Sequence, residues 1–295
     1  VTDAPTLLFC VGATKAGTSW LYRHLSQHPD CHLRTIKELH YFDMLERRTQ
    51  PYYRRRLRAR ILALKDAIAD GDTRPLVGRQ LRDALAWKAV IEAGEGDAGI
   101  AAYLAYLDHG RGDRRLVADI TPSYALLPEA RLRQMAGLGA ATRFLYLLRD
   151  PVSRLWSQAR MLASRRAADM AEFPSRAVAA MEAMLDAILR GLPDREDYIG
   201  AIGRLRAAIA PDRLLLLLQD EMMTAPGLAR LHGFLGLSDM DGNFDKRVHE
   251  GTPLALPDDL RARAQRALRP QYDFVARLVP DLPDSWRRNM TEVHG

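Results

Sequence analysis

Three short stretches hold side chains that could do chemistry on a bound anion. The first is FCVGATKAGTSWLY, Phe9–Tyr22. An apolar run ends at Gly12, Gly17 follows a few residues on, and Thr18 and Ser19 come directly after it. A strand, a glycine-containing loop and a helix start converge backbone N–H groups on one point, and the helix dipole favours a phosphate-like group there. The lysine, however, is Lys15, inside the loop, whereas a nucleotide-kinase loop carries it after the second glycine. From mid-loop, Lys15 would reach a group beyond the cradled phosphate, while Thr18 and Ser19 would hold its oxygens. A tight glycine turn without a ligand is the ordinary alternative.

The second stretch is RDPVSRLWSQ, in which Arg149 ends an apolar run and Ser157 follows eight residues later. That spacing is about two helical turns, so both could grip one phosphate, the arginine through its planar donor fork. An Arg149 paired with the adjacent Asp150 is the competing reading. The third is KELHYFD, Lys37–Asp43, where Glu38, His40 and Asp43 crowd a loop. A carboxylate among cations is a candidate general base; on its own the segment could equally be surface decoration.

The elements that must position these residues are legible from punctuation. TLLFCV, CHL, RLVADI, TRFLYLL and DRLLLLL read as short buried strands. Helices are expected from Thr18 or Ser19, as N-cap, to about Gln27; across most of 45–112; from Pro151; over about 173–190 and 195–209; up to about Leu235; and near the C-terminus. Wholly apolar strands alternating with helices predict an α/β fold, a P-loop-like central parallel sheet of about five strands with helices on both faces. No repeat or linker divides the 295 residues, so one domain is expected, with a variable helical insertion around 45–112 and a closing loop around 240–257.

Composition narrows the function classes. An apolar content of 47% suits a full core, and no run approaches the ~18 apolar residues of a membrane span. The first residues show no basic and apolar leader. Cys10 and Cys31 make neither a disulfide framework nor a metal site and read as packing residues; a cytoplasmic location is expected. A net charge of +6 favours anionic ligands. No nucleic-acid module is visible. The densest basic cluster, YYRRRLRAR at Tyr52–Arg60, is either a solvated helical face or a patch for an acidic acceptor.

Taken together, VGATKAGTSWL, KELHYFD, TPSY and LRDPVSRLWSQ resemble the sulfotransferases that use 3'-phosphoadenosine 5'-phosphosulfate (PAPS), closest to the bacterial and heparan-sulfate-type branch. The resemblance implies that Lys15, Ala16, Gly17, Thr18 and Ser19 cradle the 5'-phosphate. It implies that Lys15 donates to the oxygen bridging phosphorus and sulfur, and that Trp20 stacks on adenine. Arg149 and Ser157 would bind the 3'-phosphate, and Glu38 would be the base. His40 is an auxiliary base or a support for Glu38. No metal is implied; the product is 3'-phosphoadenosine 5'-phosphate (PAP), and the acceptor is a small molecule, lipid or saccharide. Two departures stand out. Heparan-type enzymes carry a second lysine just before TP, where this chain has Ile120, and their disulfide-linked 3'-phosphate loop corresponds to FDKRVHEGTP without cysteines. The resemblance assigns that loop's contact to Arg247. A non-catalytic nucleotide-binding scaffold on the same fold and, against the placement of Lys15, a P-loop kinase are the alternatives.

Overall fold

The N-terminal apolar run forms β1 (Thr6–Gly12), buried from Leu7 onward. In the computed structural model, which describes residues 4–166, 169–191, 195–245 and 252–291, it is followed by α1 (Thr18–Gln27) and the two-residue β2 (Cys31–His32). Next come α2 (Tyr41–Glu46), α3 (Gln50–Ala69), α4 (Pro75–Ala93), α5 (Asp97–Asp108) and β3 (Leu116–Ile120). A 3-10 turn at Pro122–Leu126 and α6 (Glu129–Ala136) lead to β4 (Thr142–Leu148). Then α7 (Pro151–Arg166), α8 (Phe173–Leu189) and α9 (Tyr198–Ala208) precede β5 (Leu214–Leu218). Last are α10 (Gln219–Met222), α11 (Ala225–Leu235), α12 (Asp258–Leu278) and α13 (Asp284–Thr291).

The five strands form one sheet, ordered β2-β3-β1-β4-β5, with every pair parallel. Helices cover both faces, which is why the strands are almost wholly apolar. After β3 the chain crosses to the other side of β1, and open α/β sheets bind ligands outside the carboxyl ends of strands at such a reversal. The loop with Lys15 leaves β1, KELHYFD follows β2, TPSY follows β3 and Arg149 follows β4, so parallel pairing brings all four segments to one edge.

Ring packing ties that edge down. Phe9 of β1 meets Phe42 of α2 at 5.9 Å, Tyr124 at 6.3 Å and Phe144 of β4 at 5.3 Å between centroids. Beside them, buried Asp119 accepts from Tyr103 (2.8 Å), Tyr124 (2.8 Å) and Thr121 (2.6 Å). The Tyr124 hydroxyl accepts in turn from the Tyr41 amide at 2.9 Å. A buried carboxylate so satisfied clamps β3, α5 and the start of α2 together, and the residue before Tyr41 is His40.

Local readings need three corrections. The N-cap of α1 is Gly17 (φ 90°), not Thr18 or Ser19, because glycine adopts this left-handed conformation without a Cβ penalty. Asp43 lies within α2 rather than in a loop. Helix α6 went unrecognised in PEARLRQMA. Cys10 and Cys31 are free and buried, and burial pushes both thiols up to about 12, as packing residues should be.

Candidate active site

The loop after β1 is shaped by two glycines. A Cβ on Gly12 would lie 2.1 Å from the Tyr146 ring, and one on Gly17 would meet Met222 at 3.0 Å on a backbone already at φ +90°. Thr14 accepts from Arg195 at 2.7 Å, fixing the outer side of the loop. No side chain caps α1, so its first-turn amides remain available to an anion. Thr18 is buried, and Ala16 packs beneath the loop at 0% exposure.

Lys15 makes no ion pair among the described residues. Burial lowers its pKa, and the charges of Arg149, Arg160, Arg165 and Lys37 lower it further. Each of these neighbouring charges is a cation, and a positive field of this kind favours an anionic ligand.

Arg149 is held from two sides. Its amide donates to the Tyr198 hydroxyl at 3.4 Å, and that hydroxyl donates to its carbonyl at 2.7 Å. Its guanidinium donates to the Lys15 carbonyl at 2.9 Å, joining the two expected anion sites directly. Asp150 is engaged elsewhere: its carboxylate accepts from the Ser153 amide (2.7 Å), Tyr272 (2.5 Å) and Asn289 (2.9 Å), docking α12 and α13 on the start of α7. Ser157 is half-buried on α7. Arg160, one turn further along, donates to the Thr252 carbonyl at 3.1 Å and keeps a buried Nε without a partner.

Trp20 is 7% exposed and already has ring neighbours, His24 at 5.1 Å and Phe244 at 6.0 Å, both nearly parallel to it. Its indole N–H donates to the Asn243 carbonyl at 3.1 Å. A purine stacking there would have to share or displace Phe244. An opening of about 120 Å³ beside this group is lined by Arg23, His24, Gln27, Met240, Asp241 and Asn243. Arg247 lies outside the described residues.

The second half of the site is a line of charges. Lys37 Nζ donates to Glu38 Oε1 at 2.7 Å, and His40 Nε2 lies 3.5 Å from Glu38 Oε2. On the other side of the imidazole, Nδ1 meets Asp43 Oδ2 at 2.9 Å, and Ser123 donates to the same carboxylate oxygen at 2.7 Å. Burial opposes ionisation of Glu38, but His40 and Lys37 outweigh it and hold the carboxyl at about 2. Burial likewise opposes protonation of His40, but Asp43 and Glu38 push the imidazole up to about 9. At neutral pH Glu38 is therefore a carboxylate and His40 an imidazolium. Glu38 keeps 42% of its side chain exposed, facing the open edge, whereas the His40 side chain keeps 17%.

Lys15, Glu38 and His40 all have positive φ (69°, 63° and 57°). Non-glycine residues pay for that conformation, and such strain concentrates where side-chain aim matters.

A family model described as the sulfotransferase family matches residues 5–241. The chain belongs to the sulfotransferase family. No curated protein matches it in sequence. Among solved structures it is similar to a sulfotransferase from Alicyclobacillus acidocaldarius, 22% identical over 97% of this chain and 100% of the other, with a TM-score of 0.58. It is also similar to the sulfotransferase domain of the Synechococcus PCC 7002 olefin synthase, 18% identical over 95% of this chain and 98% of the other, with a TM-score of 0.51. At these identities the likeness is one of fold. Among the described residues no group of His, Cys, Asp or Glu is arranged to hold a metal ion, and no helix is long and apolar enough to cross a membrane.

Within this candidate site, sequence reasoning did not single out Lys37, Ser123 or Arg160. Arg160 had a signal, its i+3 spacing from Ser157 on one helix face. Ser123 had none, because it meets Asp43 across 80 residues of chain.

The charged row makes one prediction of its own. The folded state holds the His40 proton more tightly than an unfolded chain with a pKa near 6.5. The resulting stabilisation is complete below about pH 6.5 and is lost as pH rises through about 9. His40→Asn is therefore expected to lower the Tm more at pH 6 than at pH 10. Equal losses at both pH values would mean that the imidazole carries no charge in the fold.

Proposed function

We propose that this sulfotransferase moves a sulfuryl group from PAPS to a hydroxyl or amine of a small-molecule, lipid or saccharide acceptor. The donor supplies the sulfuryl group and a phosphate leaving group. Glu38 takes the proton from the acceptor as the new O–S or N–S bond forms. Lys15 donates to the bridging oxygen as the old S–O bond breaks, placing positive charge where negative charge develops. The loop from Lys15 to Ser19 holds the 5'-phosphate; Arg149, Ser157 and Arg160 hold the 3'-phosphate. His40, protonated and hydrogen-bonded to Asp43, orients Glu38 and keeps it ionised. An anionic donor beside Lys37 and Lys15 would offset some of the positive charge around Glu38, raising its proton affinity at the moment a base is needed.

A single observation carries this reading. Lys37 touches Glu38 at 2.7 Å and also adds to the positive field at Lys15, so one cation is shared by the proton acceptor and the anion cradle. The whole chain acts as one catalytic domain. Its 45–112 helices form the acceptor wall, and the described parts of its 240–257 segment, 240–245 and 252–257, lie beside the nucleotide. Contacts from Trp20 to Asn243, Arg160 to Thr252 and Trp156 to Leu254 support that placement.

The test is PAP binding to nucleotide-free protein. At ~100 times its Kd, PAP should stabilise the fold by about 2.7 kcal/mol, with no need for magnesium, and ATP with magnesium should do less. Arg149→Ala should cost about 1.5–3 kcal/mol of PAP affinity, the range for a charge-assisted contact. Adenosine 5'-phosphosulfate, which lacks the 3'-phosphate, should lose much less. An unchanged Tm with saturating PAP would sink the proposal, and equal losses for both nucleotides would put Arg149 elsewhere.

A further inference from the structure

The arginine cluster at the start of α3 is not used by the nucleotide site, yet it begins next to the reactive centre. The Tyr53 ring lies 4.8 Å from the His40 ring, and Tyr52 packs edge-on against Tyr53 at 5.2 Å. Arg56 sits over the Tyr52 ring at 5.6 Å, and its Nη1 donates to the Tyr52 hydroxyl at 3.3 Å. A continuous path thus runs outward from Glu38 and His40 through two tyrosines to an arginine. Arg47 is the C-cap of α2, in the short turn 47–49 that leads into α3, where the Thr49 carbonyl accepts from the Tyr52 amide (3.0 Å) and the Tyr53 amide (3.3 Å).

Among the described residues these cations have no carboxylate partner. Arg47, Arg48, Arg55, Arg56 and Arg58 are all exposed and make no ion pair among the described residues. The nearby carboxylates are already engaged. Glu46 and Glu95 both bind Arg131 (3.0 and 2.8 Å), Glu92 binds Lys88 (2.7 Å), and Asp43 belongs to His40 and Ser123. Helix α3 buries only Leu57 and Ile61, so this face is turned outward at the mouth of the site. Repulsion among unpaired arginines is relieved by an incoming anion, and tyrosine faces suit a flat or apolar molecular body.

We propose that the acceptor is a small organic anion, its carboxylate, sulfate or phosphate bound by Arg56 and Arg47 while its body lies along Tyr52 and Tyr53 and its hydroxyl reaches Glu38. This rests on the sulfuryl-transfer reading of the same site and narrows it to a class of acceptor. The arginine fork prefers planar, two-oxygen anions, so carboxylates are the first class to try.

The test uses matched probes on PAP-loaded protein: 4-hydroxybenzoate, 4-hydroxyphenylacetate and 3-(4-hydroxyphenyl)propanoate, each against its neutral amide, with binding read by calorimetry. At least one acid is expected to bind ~10-fold or more tightly than its amide, in line with a charge-assisted contact, and added salt should shrink the difference. The Arg47→Gln/Arg56→Gln double variant should bring the ratio close to one while leaving the PAP-induced Tm shift unchanged. Lys88→Gln, which removes an exposed cation elsewhere on the insertion, should leave the ratio as it is. No preference for any acid, whether because neither form binds or because the amides bind as well, overturns the proposal. So does a preference that survives the double variant or falls equally in Lys88→Gln. Absence of a PAP shift in the parent protein would instead fault the nucleotide reading beneath it.

Discussion

Glu38→Gln is expected to lower turnover ~10²–10⁴-fold, the usual cost of losing a general base, while PAP affinity stays within a few-fold of the parent (roughly, since no contact to the nucleotide is lost). Glutamine keeps the shape and can still accept from Lys37, so the loss isolates the proton-accepting step. The pH dependence adds a signature. Lys37 and His40 hold Glu38 ionised down to about pH 2, so kcat/KM, which reports the free enzyme, should show no acid limb across the range where the protein is stable. The limb in kcat, which reports the complex, should lie higher, because a bound anionic donor offsets the surrounding cations. His40→Asn is the comparison. An imidazole with a pKa of about 9 is already protonated at neutral pH and cannot take a proton. If His40→Asn abolishes turnover and Glu38→Gln leaves it nearly intact, His40 is the base and the assignment is reversed.

Lys15→Met should reduce kcat by ~10²–10³-fold, the cost of removing one donor aimed at developing negative charge. Methionine keeps an unbranched side chain at a position with φ 69°, and the Lys15 carbonyl that accepts from Arg149 is unaltered, so the loop should persist. PAP binding should weaken by a smaller factor than kcat falls, because the ammonium does its main work in the transition state. Steady-state rates and PAP calorimetry on the same variant separate the two. A kcat within about threefold of the parent would remove Lys15 from the chemistry, since that corresponds to well under the 1.36 kcal/mol of a tenfold change. Lys15→Arg is not a conservative control, because burial and the surrounding cations already disfavour a charge there and arginine cannot shed its proton.

The two variants act on opposite ends of one electrostatic arrangement. Lys37 lies between them, in contact with Glu38 and contributing to the field at Lys15. Non-additive losses in the double variant are therefore expected, as for groups that act as a unit.

Much of this protein was set by local sequence. Apolar runs ending in Gly12, the TPSY segment and Arg149-Asp150-Pro151 locate strands and their carboxyl ends, because period, length and turn chemistry act over a few residues. A parallel sheet then brings segments that follow strands to one edge, so Lys15, Glu38 and Arg149 could be placed near one another before any coordinates. What lay beyond the sequence were contacts whose partners are far apart in the chain. The order β2-β3-β1-β4-β5 depends on which strands pair, and buried apolar strands offer no pattern that chooses among neighbours. Ser123 finds Asp43 only because the Tyr124–Asp119 clamp docks α2 against β3. The charge states of Glu38 and His40 follow from that docking, since each shift is a sum of burial and neighbours at a few ångströms. The partnering of Asp150 with Tyr272 and Asn289 rather than with Arg149 came from packing of the C-terminal helices, and the arginine bonds the Lys15 carbonyl instead. For the same reason the tyrosine–arginine path from His40 could be told from an ordinary solvated helix face only once α3 was seen beside the site.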